Sequence, residues 1–274
     1  MGNRICVWFV GGFLIFCILS GFFGPQGLLA QQNNKAATVV NQFLQAVLEG
    51  DSPSAFKLCT FGVRRGKTAA GFLDSPDIVT IFSGVKSWEI IGVLGEGSIR
   101  TVVVKLVNTE EKKFRNLGIA CLKMGGTYRV RDFSNTPWVG SEARSLRYLS
   151  DLYARLDDLD SAEQTIKKAF TLDPDDPKVS AFLGYIYLEK GIESEEAKRL
   201  IESAHGRDPN DPEFMDFLGW AYHKANQRQK SVQWLDKARE AFQKTEGYRS
   251  SPEYIRFTTH VDKAKASGWR PTQT

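Results

Sequence analysis

Asp173-Pro174-Asp175-Asp176-Pro177 and Asp208-Pro209-Asn210-Asp211-Pro212 are near copies of one another, 35 residues apart. A proline-punctuated turn recurring at this interval between amphipathic stretches marks a helical repeat array. The prolines set the joints. A helix does not continue through Pro174 or Pro209, whereas Pro177 and Pro212 suit the first turn of the next helix, whose N–H groups are unpaired anyway.

Working outward, Leu149, Leu183 and Leu218 recur at intervals of 34 and 35. Ser150, Gly184 and Gly219 come next, then Tyr153, Tyr187 and Tyr222, and further on Ala169, Ala204 and Ala238. Asp157, Gly191 and Asn226 fall where the first helix of each pair must turn, and all three residue types tolerate turn conformations. Ala162 and Ala197 align if the second repeat holds one extra residue near Ile192–Glu195, and Ser231 replaces the small Ala in the third. A small residue lets paired helices approach closely, and the tyrosine fills the space between neighbours.

These residues resemble the tetratricopeptide repeat. Leu183-Gly184-Tyr185-Ile186-Tyr187 and Leu218-Gly219-Trp220-Ala221-Tyr222 stand close to its motif. The resemblance covers residues 143–266 as three helix pairs in an all-α superhelix, with an end helix after them. That helix opens at Ser251-Pro252, bears Tyr254, Ile255, Phe257 and Val261, and is expected to cover the third repeat. The array is expected to stop after Phe242, where Glu246-Gly247-Tyr248 stands in place of a third Pro-rich joint.

The resemblance implies a curved stack whose first helices line a concave face, used to bind a protein partner rather than to catalyse. The inward positions are Arg144, Arg147, Asp151 and Arg155 in the first repeat, and Lys178, Ala181, Tyr185 and Glu189 in the second. The third supplies Asp216, Trp220, His223 and Lys224. A groove with Tyr185 and Trp220 flanked by charges suits an extended or helical peptide; each residue singly reads equally well as solvated or as inter-repeat packing. Family members that bind chaperone tails clamp a terminal carboxylate with basic and Asn side chains. The matching positions here hold Arg147, Asp151, Phe182, Glu213 and Phe217, and only Arg147 suits that task.

Residues 36–135 change character. Val39, Val40, Phe43, Leu44, Val47 and Leu48 have helical spacing, Ser52-Pro53 starts a second helix, and 76–82 reads as a short third. The stretch from Gly62 to Gly71, with Arg64, Arg65 and Lys67, reads as a basic loop. Lys86–Val93, Ile99–Asn108, Arg115–Met124 and Thr127–Phe133 are rich in strand-forming residues, and Gly125-Gly126 fits a hairpin turn. Helices first and an antiparallel sheet after predict an α+β domain. The order, with Ser87-Trp88-Glu89-Ile90 and the closing Gly126 to Phe133, resembles the nuclear-transport-factor-two-like, or cystatin-like, cone, in which helices pack into a bent sheet. Active members place an Asp, His or Tyr set inside the cone. Here no His precedes His205, and Asp74, Asp77 and Tyr128 are isolated, so no base paired to an orienting group is apparent.

At the N-terminus, Ile5 to Phe23 carries no charge and comes after Arg4. The run is long enough to span a bilayer and favours export of the chain beyond it. Residues 1–30 therefore read either as an uncleaved signal anchor, holding the membrane through residues 5–23, or as a signal peptide cut after Ala30. Either places the folded part on the non-cytoplasmic side of a cell envelope.

The balance of 36 Lys+Arg against 32 Asp+Glu gives neither half the strong basic excess of a nucleic-acid binder. The four Cys form no CxxC, and no Cys/His set has ligand spacing, so neither metal nor cofactor is expected. Cys59 and Cys121 remain open between a disulfide and two buried thiols. The leading expectation is a non-enzymatic, envelope-facing adaptor; the rival is a small-molecule binder or enzyme with a pocket in the α+β domain.

Overall fold

The computed structural model describes residues 34–95, 97–134 and 136–266. The candidate targeting segment, residues 1–30, lies outside them. Among the described residues no helix is long and apolar enough to cross a membrane.

Helix α1 (Lys35–Glu49) is capped by the Asn34 side chain, which accepts from the Ala36 N–H, and ends at Gly50 in the left-handed region at φ 70°. In α2 (Ser52–Lys57) the cap is Asp51, which accepts from Ser54 N–H, rather than Ser52. The Ser52 hydroxyl is taken up elsewhere and accepts from Leu73 N–H at 3.0 Å. The basic loop contains a single helical turn, α3 (Phe61–Arg64), and α4 spans Pro76–Phe82.

Four strands come next, β1 (Ser87–Leu94), β2 (Ile99–Asn108), β3 (Lys113–Met124) and β4 (Thr127–Phe133), in an antiparallel meander of order β1-β2-β3-β4. Gly125 and Gly126 both have positive φ, 56° and 86°, as a two-residue hairpin turn requires. Bulges interrupt the ladder at Ile90/Gly92 and Ala120/Cys121.

The sheet is covered on both faces, and the period-2 alternation decides which residue faces which way. Val102, Val104, Leu106, Leu117 and Ile119 join Val40, Phe43 and Leu44 of α1 in one core. The Phe43 ring meets Phe82 edge-on at 5.5 Å and Phe133 at 5.7 Å, so aromatic side chains fill the space under the helix. Val103, between them on β2, belongs to the core of the helical part.

That helical part is α5 (Glu142–Arg155), α6 (Leu159–Leu172), α7 (Pro177–Lys190), α8 (Ser194–Arg207), α9 (Pro212–Lys224) and α10 (Arg228–Gln243), then a 3-10 turn (Tyr248–Ser250) and α11 (Pro252–Ala266). In each Asp-Pro joint the second acid caps the helix that the second proline opens: Asp176 accepts from Lys178 N–H and Asp211 from Glu213 N–H. Asp157, Gly191 and Asn226 turn the first helices with φ of 62°, 68° and 56°. The extra residue of the second pair is absorbed at Glu193, also left-handed at φ 47°.

Small residues at the helix crossings are required by contact. A Cβ on Gly184 would lie 2.6 Å from the Ala197 carbonyl oxygen, and one on Gly219 2.8 Å from Leu235 Cγ. Ser150 at the same place in the first pair donates its hydroxyl to Ala162 O at 2.7 Å.

The repeats begin on the back of the sheet. Leu152 of α5 presses on Gly118 of β3, where a Cβ would meet both Leu152 δ-methyls at 3.1 Å. Asn116 Nδ2 donates to Ser145 O and Oγ, each at 2.7 Å, and Lys105 pairs with Glu142 at 3.0 Å.

Cys59 and Cys121 are free and buried, which settles the alternatives against a bridge. Burial pushes both thiols up to about 12. At pH 8 the reactive thiolate is then roughly one part in ten thousand. We expect neither to react with iodoacetamide in the folded protein and both to react in denaturant, read by mass spectrometry. Gly184→Ala is expected to cost about 1–3 kcal/mol by overpacking, measured as a lower denaturation midpoint; an unchanged midpoint overturns the close-approach assignment.

Candidate partner-binding groove

The inner helices α5, α7 and α9 carry the residues that the repeat spacing placed on the concave face. Their N-terminal ends are stapled by the same pair in successive repeats: Arg144 Nε to Asp176 Oδ2 at 2.6 Å, and Lys178 Nζ to Asp211 Oδ2 at 2.5 Å. Each cation therefore reaches the carboxylate that caps the next inner helix.

The groove is not open. Helix α11 lies along it and fills it. Its residues Glu253, Arg256, His260 and Lys263 have i, i+3, i+7, i+10 spacing and so share one face. Arg147 Nη1 and the Tyr148 hydroxyl both donate to Glu253 Oε1, each at 3.0 Å. Arg256 Nη1 donates to Asp151 Oδ1 at 2.6 Å, and its Nη2 donates to Glu213, which also pairs with Arg147. His260 Nδ1 lies 2.8 Å from Asp216 Oδ1. Lys263 approaches Glu189 at 3.9 Å.

Aromatic rings wall these charges. The Arg256 guanidinium carbon sits 4.8 Å from the Phe217 centroid and 5.3 Å from those of Phe182 and Tyr185. Tyr185 stacks on Phe217 at 4.9 Å. Trp220 lies between two imidazoles, 4.3 Å from His260 and 4.8 Å from His223, and donates from Nε1 to Glu189 at 2.6 Å.

Each residue predicted from the sequence for the groove is engaged within the chain. Arg147, Asp151, Asp216, Tyr185 and Trp220 are buried under α11 or between repeats. Arg155 pairs with Asp151 at 3.1 Å, Lys224 with Glu189 at 3.2 Å, and Lys178 reaches Glu213 at 3.1 Å. Ala181 is buried as well. The end helix does cover the third repeat, since Phe257 packs with Leu235, Ala238 and Phe242. It also crosses to the first repeat, which the apolar pattern of α11 did not show. His260, Arg256 and Glu253 are the site residues missed; the acid–Arg–His–Lys stripe of α11 was their only signal, and such a stripe reads by default as a solvated face.

The five clamp positions converge on one point with inverted charge. Asp151, Glu213, Phe182 and Phe217 surround Arg256, and Arg147 neutralises Glu213 beside it. A site that in chaperone-tail binders takes a carboxylate here takes a guanidinium. Among the described residues no three His, Cys, Asp or Glu side chains are grouped as a metal ion requires.

Residues 149–176 match the tetratricopeptide-repeat family. The match spans one repeat. It runs from Leu149 in α5 through α6 to the Asp176 cap, and the next two helix pairs repeat its geometry. No curated protein sequence matches the chain significantly. Among solved structures, the tetratricopeptide domain of Sgt2 from Aspergillus fumigatus is 17% identical, with 52% of this chain and 90% of that one covered and a TM-score of 0.33. PcrH from Pseudomonas aeruginosa is 16% identical, with 46% and 94% covered and a TM-score of 0.36. MamA from Desulfovibrio magneticus RS-1 is 20% identical, with 46% and 75% covered and a TM-score of 0.32.

Charge sets how strongly α11 is held to the tetratricopeptide repeats. Removing Arg256 alone takes from buried Asp151 and Glu213 the cation they share, leaving Asp151 to Arg155 and Glu213 to Arg147 and Lys178, a loss of up to about 3–5 kcal/mol. Burial would raise the Glu253 carboxyl, but Arg147 and Arg256 outweigh it and hold it at about 2, below the ordinary 4.5. A depressed folded value gives stability that is complete above about 4.5 and lost as pH falls toward about 2. Acidification through that window is expected to loosen α11, read by the fluorescence of Trp220 stacked on His260. Glu253→Gln should flatten the part of the transition due to this group; an identical acid profile in the variant overturns the assignment.

Proposed function

We propose that the chain is a non-enzymatic adaptor that captures a protein partner through the concave face of its tetratricopeptide repeats. One observation carries the reading: the groove already binds a helix, through aligned charges and aromatic walls of the kind that recognise amphipathic segments. The α+β unit, which we read as a nuclear-transport-factor-two-like cone, serves as the base on which the first repeat is mounted. Its interior is filled by Phe43, Phe72, Phe82 and their aliphatic neighbours. That filling favours a spacer or second interface over a catalytic pocket. The uncharged run from Ile5 to Phe23 supports placing the adaptor on the outer side of a membrane, as a tethered or secreted envelope protein.

Amine crosslinking with mass spectrometry in cells expressing the full chain tests the location of the partner. Lys178, Lys224 and Lys263 rim the groove and are 31%, 38% and 53% exposed. Partner crosslinks are expected at these lysines. Crosslinks confined to Lys57, Lys86 and Lys112 of the α+β unit overturn the groove assignment. Protease cleavage of the folded part in cells whose cytoplasmic membrane is intact, with a cytoplasmic marker left whole, is expected from the envelope placement; protection until that membrane is lysed overturns it.

A further inference from the structure

We infer that α11 is an exchangeable occupant of the groove, and that the external ligand is a helical protein segment carrying an arginine at the centre of its polar face, with an acid one turn before it and a histidine or lysine one turn after. This deepens the adaptor reading and rests on it.

The recognition chemistry is set by what the groove offers. Arg147 faces an acid, the Asp151–Glu213 pair walled by Phe182, Tyr185 and Phe217 faces a guanidinium, and Asp216 beside Trp220 faces an imidazole. Their spacing along the groove matches one face of a helix, because Glu253, Arg256 and His260 reach all three at once. A planar fork between two carboxylates and against aromatic faces selects arginine over lysine.

Three observations make the resident helix exchangeable. First, α11 lies outside the main apolar core of the repeats; its buried apolar residues Phe257 and Ala264 form a separate small cluster with α10. Its contact with the inner helices is by charge and ring stacking, joined at α9 by Met215, which packs on that small cluster. Cutting one partner out of a buried ion pair strands a charge, but withdrawing the whole helix lets water reach every carboxylate and guanidinium left behind. Second, the network is incompletely satisfied: Nε of Arg147 and Nε of Arg256 are buried without a hydrogen-bond acceptor among the described residues. Third, the strap into α11 is held at Tyr248, edge-on to Tyr254 at 4.7 Å, and is otherwise flanked by open space. Clefts of about 460 and 390 Å³ lie on its two sides, both lined by Gly247, Ser251 and Glu253. Gly247 is left-handed at φ 68° with nothing within 4 Å of its Cβ position, so no packed neighbour holds the turn at that residue.

The test uses the full chain with a specific protease site in the exposed strap at residues 245–250, cleaved after purification so that α11 is held without its tether. A fluorescent peptide of residues 250–266 is the probe. The cleaved protein is expected to take up the peptide with loss of its own α11. The uncut protein should bind it at least about 100-fold more weakly, because a tethered helix competes at high effective concentration. In the peptide, Arg256→Ala should weaken binding by about 100-fold or more and Arg256→Lys by less, while Ile255→Ala, on the exposed side, leaves it unchanged.

Refusal of the peptide by a cleaved protein that keeps its circular dichroism overturns the inference, as does equal binding of the Arg256→Ala peptide. Should cleavage unfold the protein, hydrogen exchange on the intact chain decides. Amides of α11 that open before those of α7 and α9 support exchange, and opening only with global unfolding overturns it. Failure here with crosslinks still on the groove rim defeats exchangeability and leaves the adaptor standing. Peptide uptake with crosslinks confined to the α+β unit does the opposite.

Discussion

The guanidinium of Arg256, held between Asp151 and Glu213 against Phe182 and Phe217, fixes the arrangement of the helical half. One side chain from the last helix touches the first inner helix through Asp151, the second through Phe182 and the third through Glu213 and Phe217. Stacked repeats otherwise contact only their neighbours. Here a charge at the centre couples the first pair to the third, because one cation holds a carboxylate from each.

Arg147 makes that geometry tolerable. Two carboxylates alone, both buried, would strain to protonate or separate; Arg147 stands against Glu213 and Glu253 and balances them. The cluster is thus an alternation of signs, with Glu253, Arg147, Glu213, Arg256 and Asp151 in sequence through space. Its strength is shared among the pairs, because every member removed weakens the compensation of a buried neighbour.

The repeat architecture was legible in the sequence because it is written locally. Asp-Pro joints, left-handed turn residues at Asp157, Gly191 and Asn226, and the small residues Ser150, Gly184 and Gly219 each act within one or two turns of helix. The strands read correctly for the same reason, their alternation being a property of a few neighbouring residues. The groove positions could be named, since helical phase places them. Their occupant could not. The partners of Arg256 lie 105 and 43 residues away and that of His260 lies 44 away, so no local period encodes the pairing. The apolar stripe of α11 declared one packed face, and a helix with two packed faces, one of them charged, looks from its sequence like an ordinary amphipathic surface helix.

The docking of Leu152 onto Gly118 and of Ser145 onto Asn116 has a consequence for the size of the assembly. A solenoid presents the same unsatisfied surface at each end and grows until something stops it. In this chain the sheet terminates one end and α11 folds back over the other, and both stops bear on the same helix, α5. The array is thereby closed into a ring of dependencies three pairs long. A fourth pair inserted between α10 and α11 would carry Arg256 beyond the reach of Asp151. Length here is therefore not a free variable as it is in open arrays, and the inner helices stand in a fixed register.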